Sequence, residues 1–193
     1  MNEVLMHMTP TPVIIVPGLA NSGPEHWQSH IERNFPNTRR VIQEDWFEPI
    51  RNPWVAALDA VVRELAQPAV LVGHSIGVMT VVQCVARNPT APVRGALLVA
   101  PPDMEASGPD QVPAEVVEMA GWAPIPRQRL PFPSVLVAST NDHYVSIERA
   151  EVFARWWGSR FVNIGAAGHI NVTAGFGPWP DGERLLHELL AAE

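Results

Sequence analysis

The 193-residue chain contains no lysine: all 13 of its basic residues are arginine. Schiff-base chemistry, Walker-type phosphate loops and serine–lysine dyads each place a lysine at the reacting centre, so all three are excluded. Cysteine is almost as scarce. With Cys84 alone, neither an intrachain disulfide nor a cysteine-based zinc cluster can form. Positive charge is outnumbered by 20 acidic residues, for a net charge of −7. Nucleic acid is therefore not an expected partner, because such a groove displaces counterions with clustered positive charge. No apolar run approaches the ~18 residues that cross a bilayer. Met1–Thr11 carries Glu3 and no arginine, unlike the basic start of a secretion signal. No membrane association and a cytoplasmic location are the expectations.

What is present suits a compact globular chain of about one domain, with 47% hydrophobic and 17% charged residues. Short apolar runs recur at Val13–Val16, Val41–Gln43, Ala69–Val72, Ala96–Ala100, Val135–Ala138 and Phe161–Ile164. Their length and bounding turn residues suit strands buried on both faces. Helical spacing lies between them. In 54–66 the apolar positions Trp54, Val55, Leu58, Val61, Val62 and Leu65 share a face, with Asn52 as expected N-cap and Pro53 at the first helical position. A second helix is expected over Ile147–Trp157 behind a Ser146 cap, and a last one from about Gly182. This alternation predicts a parallel sheet covered on both sides, with sites at the carboxyl ends of its strands. The segment 101–133 breaks the rhythm. Rich in proline and glycine, with a short helix expected over Ala114–Met119, it reads as a lid or pocket wall within a single domain spanning 1–193, or else as a surface loop.

The strongest motif is Gly73-His74-Ser75-Ile76-Gly77. The pattern G-x-S-x-G is weak alone, but here a strand-like run precedes it and Val78–Arg87 reads as a helix. Such a sharp turn needs glycine on either side and lifts the serine hydroxyl clear of the sheet. A serine hydroxyl is a poor nucleophile until a base takes its proton, and the base needs a carboxylate to orient it. After this turn the partners follow in the order acid, then histidine. Asp142, just past the run 135–138, and His169, on the glycine-rich stretch past 161–164, satisfy that order. Asp103 is a rival acid, and the bland alternative for Asp142 is a turn or helix-cap residue. His74 adjoins the nucleophile but faces away from the productive direction. Oxyanion donors are expected from the Ile76 backbone N–H and from the Leu19 N–H in Pro17-Gly18-Leu19, with Ala20 as substitute. A plain strand-to-helix connection is the bland alternative for that loop.

Weaker features point elsewhere. His26 and His30 stand four apart, but the glutamate of a metalloprotease helix is replaced by Trp27, so no metal is expected. Cys84 reads as core. Trp46 and Trp54 could line an acyl pocket, although core packing suits each better.

Taken together, Pro17-Gly18-Leu19 through His26-Trp27-Gln28, Asp45-Trp46, the Ser75 motif, Asn141-Asp142, Gly168-His169-Ile170-Asn171 and Gly177-Pro178-Trp179-Pro180 resemble a known family. It is the group of compact serine hydrolases that includes retinoblastoma-binding protein nine and bacterial YdeN-type proteins. The resemblance spans nearly the whole chain. It implies a minimal α/β-hydrolase fold, a Ser75–Asp142–His169 triad and carboxylesterase-like activity. Relatives often carry proline after the acid, where this chain has His143. The expected architecture is an α/β, three-layer α/β/α sandwich with about six mainly parallel strands. The expected reaction is hydrolysis of small or short-acyl esters without a cofactor. A small peptidase or amidase with the same triad, and a protein-binding module with a vestigial site, remain open.

Overall fold

The computed structural model describes residues 10–105 and 121–192. Six strands form one sheet: β1 (Val13–Val16), β2 (Thr38–Arg40), β3 (Ala69–His74), β4 (Val93–Val99), β5 (Ser134–Ala138) and β6 (Arg160–Asn163). Their order is β2-β1-β3-β4-β5-β6, and every pairing is parallel. Parallel strands need crossovers, which here include α1 (Trp27–Asn34), α2 (Arg51–Arg63), α3 (Ile76–Arg87) and α4 (Ile147–Trp157). A last helix, α5 (Pro180–Ala191), follows a short 3-10 turn at Val172–Ala174.

The side chains of β1 and β3 alternate between two cores. Ile14, Val16 and Leu71 join α2, α3 and α4, while Val13, Ile15, Val70 and Val72 join α1 and α5. That period of two is what a doubly covered strand requires. The result is three layers, helix–sheet–helix. Among the described residues, no helix is long and apolar enough to cross a membrane.

Several expected boundaries move. The strand expected at Val41–Gln43 lies instead at Thr38–Arg40, paired through Val13↔Thr38, Ile14↔Arg39 and Ile15↔Arg40. An edge strand is set by its backbone ladder and needs no apolar run; Val41 and Gln43 are buried where the chain leaves the sheet. Helix α2 starts at Arg51 with Ile50, not Asn52, as its N-cap. Pro53 is then the third helical residue, still within the turn whose N–H groups lack intrahelical partners. Asn52 instead accepts a 2.6 Å hydrogen bond from Arg87. Ser146 caps α4 as expected, receiving the Arg149 N–H, whereas α5 begins two residues before Gly182. The helix expected over Ala114–Met119 lies outside the described residues. After that stretch, Trp122, Ile125 and Leu130 are buried in the core with residues of α2 and α3.

Candidate active site

Strands β1 and β3 are neighbours, yet the chain visits β2 between them, so the connections leave this point in opposite directions. A crevice at such a switch is the usual place for ligands in open α/β sheets. Ser75 sits there, between β3 and α3, with φ 55° and ψ −129°. That backbone is strained for a residue with a side chain. It is held from both sides: Ser75 N–H donates to Val99 O at 3.0 Å, and Ser75 O accepts from Val78 N–H at 2.8 Å. Gly77 in this turn and Gly18 in the facing loop are required by contact. A Cβ on Gly77 would lie 2.1 Å from the Val16 carbonyl oxygen, and one on Gly18 would lie 2.8 Å from Ser75 Cβ.

Three side chains from separate loops meet at this turn. Ser75 Oγ lies 2.8 Å from His169 Nε2. His169 Nδ1 lies 3.0 and 2.9 Å from the two carboxylate oxygens of Asp142, whose side chain is fully buried. Because an anion accepts at Nδ1, that nitrogen carries the proton and Nε2 is free to accept from the serine hydroxyl. Such a chain can take a proton from Ser75 and stabilise the imidazolium that results. Tyr144 covers the imidazole with ring centroids 4.5 Å apart, and its N–H donates to Asp142 Oδ1 at 2.9 Å. The neighbouring His143 is exposed. Asp103, the rival acid, is committed elsewhere, to a 2.8 Å ion pair with Arg149.

The loop bearing His169 is stitched in place by residues to which the sequence reading gave no such role. Asn141 Oδ1 accepts the Gly168 N–H at 2.7 Å, and Ser139 Oγ accepts the Ala167 N–H at 2.9 Å. Trp27 Nε1 donates to Ile170 O at 2.9 Å, securing a β-branched residue at φ 50°. His74 Nε2 donates to the His169 carbonyl at 2.9 Å. His74 thus supports the histidine loop, and it lines the same cleft as Ser75. Burial, followed by the neighbouring His169 and His26, holds its ring well below the usual imidazole range, so it stays neutral.

The loop after β1 lies against the other side of Ser75. Gln28, buried on α1, donates to the carbonyls of Val16 and Val72 at 3.3 and 2.9 Å, clipping the ends of β1 and β3 together. Arg40 donates to Asn21 Oδ1 and Ser22 O at 2.8 and 2.7 Å. The Ala20 N–H is taken by Trp46 O at 2.8 Å, while the Leu19 N–H has no partner among the described residues. Ile76 opens α3, so its N–H has no intrahelical acceptor either. The family motif marked Gln28 but not its role, and nothing in the sequence marked Arg40, since both roles depend on which carbonyls the folded chain leaves open.

Around these groups lies a cleft of about 440 Å³. Leu19, Ile76, Tyr144 and Val172 give it apolar walls, and Asn21, His26, Asn171 and Thr173 add neutral polar groups. Among the described residues, none that line it is Asp, Glu or Arg. Trp46 and Trp54 pack against each other and do not line it. His26 caps α1, outside the helix that carries His30, so the two imidazoles do not share a helical face.

With this geometry in hand, comparison with known proteins is informative. The serine hydrolase family model matches residues 13–188. Among solved structures, a YdeN-like hydrolase from Pectobacterium atrosepticum is 35% identical, with a TM-score of 0.82 over 94% of this chain and 91% of that one. The ydeN gene product of B. subtilis is 16% identical, with a TM-score of 0.73 over 94% and 100% of the two chains. A monoacylglycerol lipase from Paleococcus ferrophilus shares the fold at 15% identity, with a TM-score of 0.66 over 94% and 96%. No curated protein matches the chain.

Proposed function

The chain belongs to the serine hydrolase family, and from that membership we propose that it is a carboxylesterase acting on small or short-acyl esters through an acyl-enzyme. The observation that carries the proposal is the unbroken chain from Ser75 Oγ through His169 to the buried Asp142, with no link longer than 3.0 Å. Ser75 attacks the ester carbonyl while His169 takes its proton, and Asp142 holds the imidazole in the required tautomer. The carbonyl oxygen becomes an oxyanion facing the Ile76 and Leu19 amides, two backbone donors without an acceptor among the described residues. Ala20 is a poor substitute, since Trp46 already accepts its N–H. Collapse of the tetrahedral intermediate expels the alcohol with the proton held on His169. Water, activated by the same imidazole, then releases the acid and restores Ser75.

Two features of the cleft support the substrate class. Its volume of about 440 Å³ is near the small end of the range for ligand sites. Among the described residues, its walls carry no Asp, Glu or Arg, which favours an uncharged ester.

Fluorophosphonate labelling, read by intact mass on wild type, Ser75→Ala and His169→Ala, tests the nucleophile. One adduct on wild type, none on Ser75→Ala and slow labelling of His169→Ala are expected. A p-nitrophenyl ester series from acetate to decanoate then tests the acyl pocket, with kcat/KM expected to peak at four carbons or fewer. No adduct on folded wild type would overturn the assignment, and a steep rise towards decanoate would overturn the short-acyl preference.

A further inference from the structure

One polar group in the cleft has no task in the reaction proposed above. His26 is only 6% exposed, and its ring lies 4.8 Å from that of His74, which in turn lies 5.0 Å from that of His169. Its Nδ1 accepts the Gln28 N–H at 3.2 Å as the N-cap of α1. A neutral ring whose Nδ1 accepts must carry its proton on Nε2. That state is enforced by the surroundings: burial first, then Arg40 and His169, pull the His26 titration down to about 4. Among the described residues, the buried side-chain nitrogens and oxygens without a hydrogen-bond partner are His30 Nε2 and Arg51 Nε. His26 Nε2 has no partner among the described residues and is not one of these buried atoms, and the residue lines the cleft together with Ser75. Its N–H therefore opens on the space where substrate would lie.

We propose that His26 is a specificity-determining residue, whose Nε2–H donates a hydrogen bond to an acceptor oxygen carried by the substrate next to its ester group. The inference rests on the esterase reading of Ser75 and deepens it. The favoured substrates are oxygenated short esters, such as alkoxy, hydroxy or keto esters, over plain hydrocarbon ones. A donor already fixed by a helix cap and by packing loses little freedom on binding, and a site that presents one discriminates against ligands lacking the matching acceptor.

The test uses two isosteric pairs in which one CH₂ is exchanged for oxygen. On the acyl side these are p-nitrophenyl methoxyacetate and butyrate, corrected for their intrinsic hydrolysis rates. On the alcohol side they are 2-methoxyethyl acetate and butyl acetate. The kcat/KM ratio within each pair is compared in wild type, His26→Asn and His26→Phe. Asparagine keeps an N-cap acceptor and phenylalanine keeps the ring packing, but each removes the Nε2–H. Wild type should favour the oxygenated member of one pair by about 2- to 12-fold, the size of one neutral hydrogen bond, and the ratio should fall to about 1 in both variants. The pair that shows it locates the acceptor. No preference in either pair, or a preference that survives both substitutions, overturns the role of His26 while leaving Ser75 untouched. Absence of turnover for every ester, including those without the extra oxygen, overturns the parent reading and this one with it.

Discussion

Acid should unfold this protein through His26, and the size of the effect follows from its surroundings. In the unfolded chain the imidazole titrates near 6.5; in the folded protein burial, Arg40 and His169 lower this to about 4. Between those values the unfolded chain binds a proton that the folded chain refuses, so falling pH favours unfolding. The contribution is fully present above about pH 6.5 and gone below about pH 4. Moving one titration from 6.5 to about 4 corresponds to about 3 kcal/mol. His74 shifts in the same direction, for burial and for its two imidazole neighbours, and adds to the loss. Urea unfolding followed by tryptophan fluorescence, at pH values from 7.5 to 4, would measure it in wild type and His26→Asn. Carboxylates common to both proteins cancel in the difference. Wild type should lose about 3 kcal/mol more than the variant across that span. Two stability curves that run parallel within ~0.5 kcal/mol would refute the buried, neutral imidazole.

The remaining predictions concern packing. In Gly77→Ala the new methyl would meet the carbonyl oxygens of Val16 and Pro17 at 2.1 and 2.7 Å. Both are backbone, so a loss of about 3 kcal/mol is expected in thermal or urea unfolding, while Gly23→Ala, with nothing within 4 Å, should stay within ~0.5 kcal/mol. Cys84 is buried, and burial together with Asp59 pushes its thiol up to about 12. Ellman's reagent should therefore leave the folded protein unlabelled and titrate one thiol after guanidinium unfolding; rapid labelling of folded protein would contradict that environment.

The parts of the fold that were legible in the sequence are those in which one physical signal dominates. The central strands read clearly because Val13–Val16, Ala69–Val72 and Val135–Ala138 are buried on both faces and need continuous apolar runs. The meeting of Ser75, Asp142 and His169 was readable for a related reason. Each follows the end of a parallel strand, and parallel strands bring those ends to one edge. What could not be read depends on partners remote in the chain. The β2 ladder at Thr38–Arg40 carries two arginines and is placed by β1, not by its own composition. Asn52 looks like a helix cap, yet its side chain is taken by Arg87 while the helix begins two residues earlier than expected. Gln28, Ser139 and Asn141 act on backbone groups whose availability emerges only once the loops are folded. The left-handed Ile170 is invisible for the same reason, because its strain is tolerated only under the Trp27 indole.

That indole contact also bears on how the molecule assembles. Trp27 and Ile170 stand 143 positions apart, and Ser75 and His169 stand 94 apart. Contacts this remote cannot form until large loops have closed, and the entropy of closure is spent before they stabilise anything. The histidine loop has no local reason to adopt its shape: the helix beneath it, the turn beside it and the acid loop before it must all be docked first. A chain stopped before β6, or one whose first helix has come away from the sheet, has no way to hold His169 at Ser75. Chemistry at Ser75 would then count complete molecules, and the rate at which it recovers after dilution from urea would time the final closing step of folding.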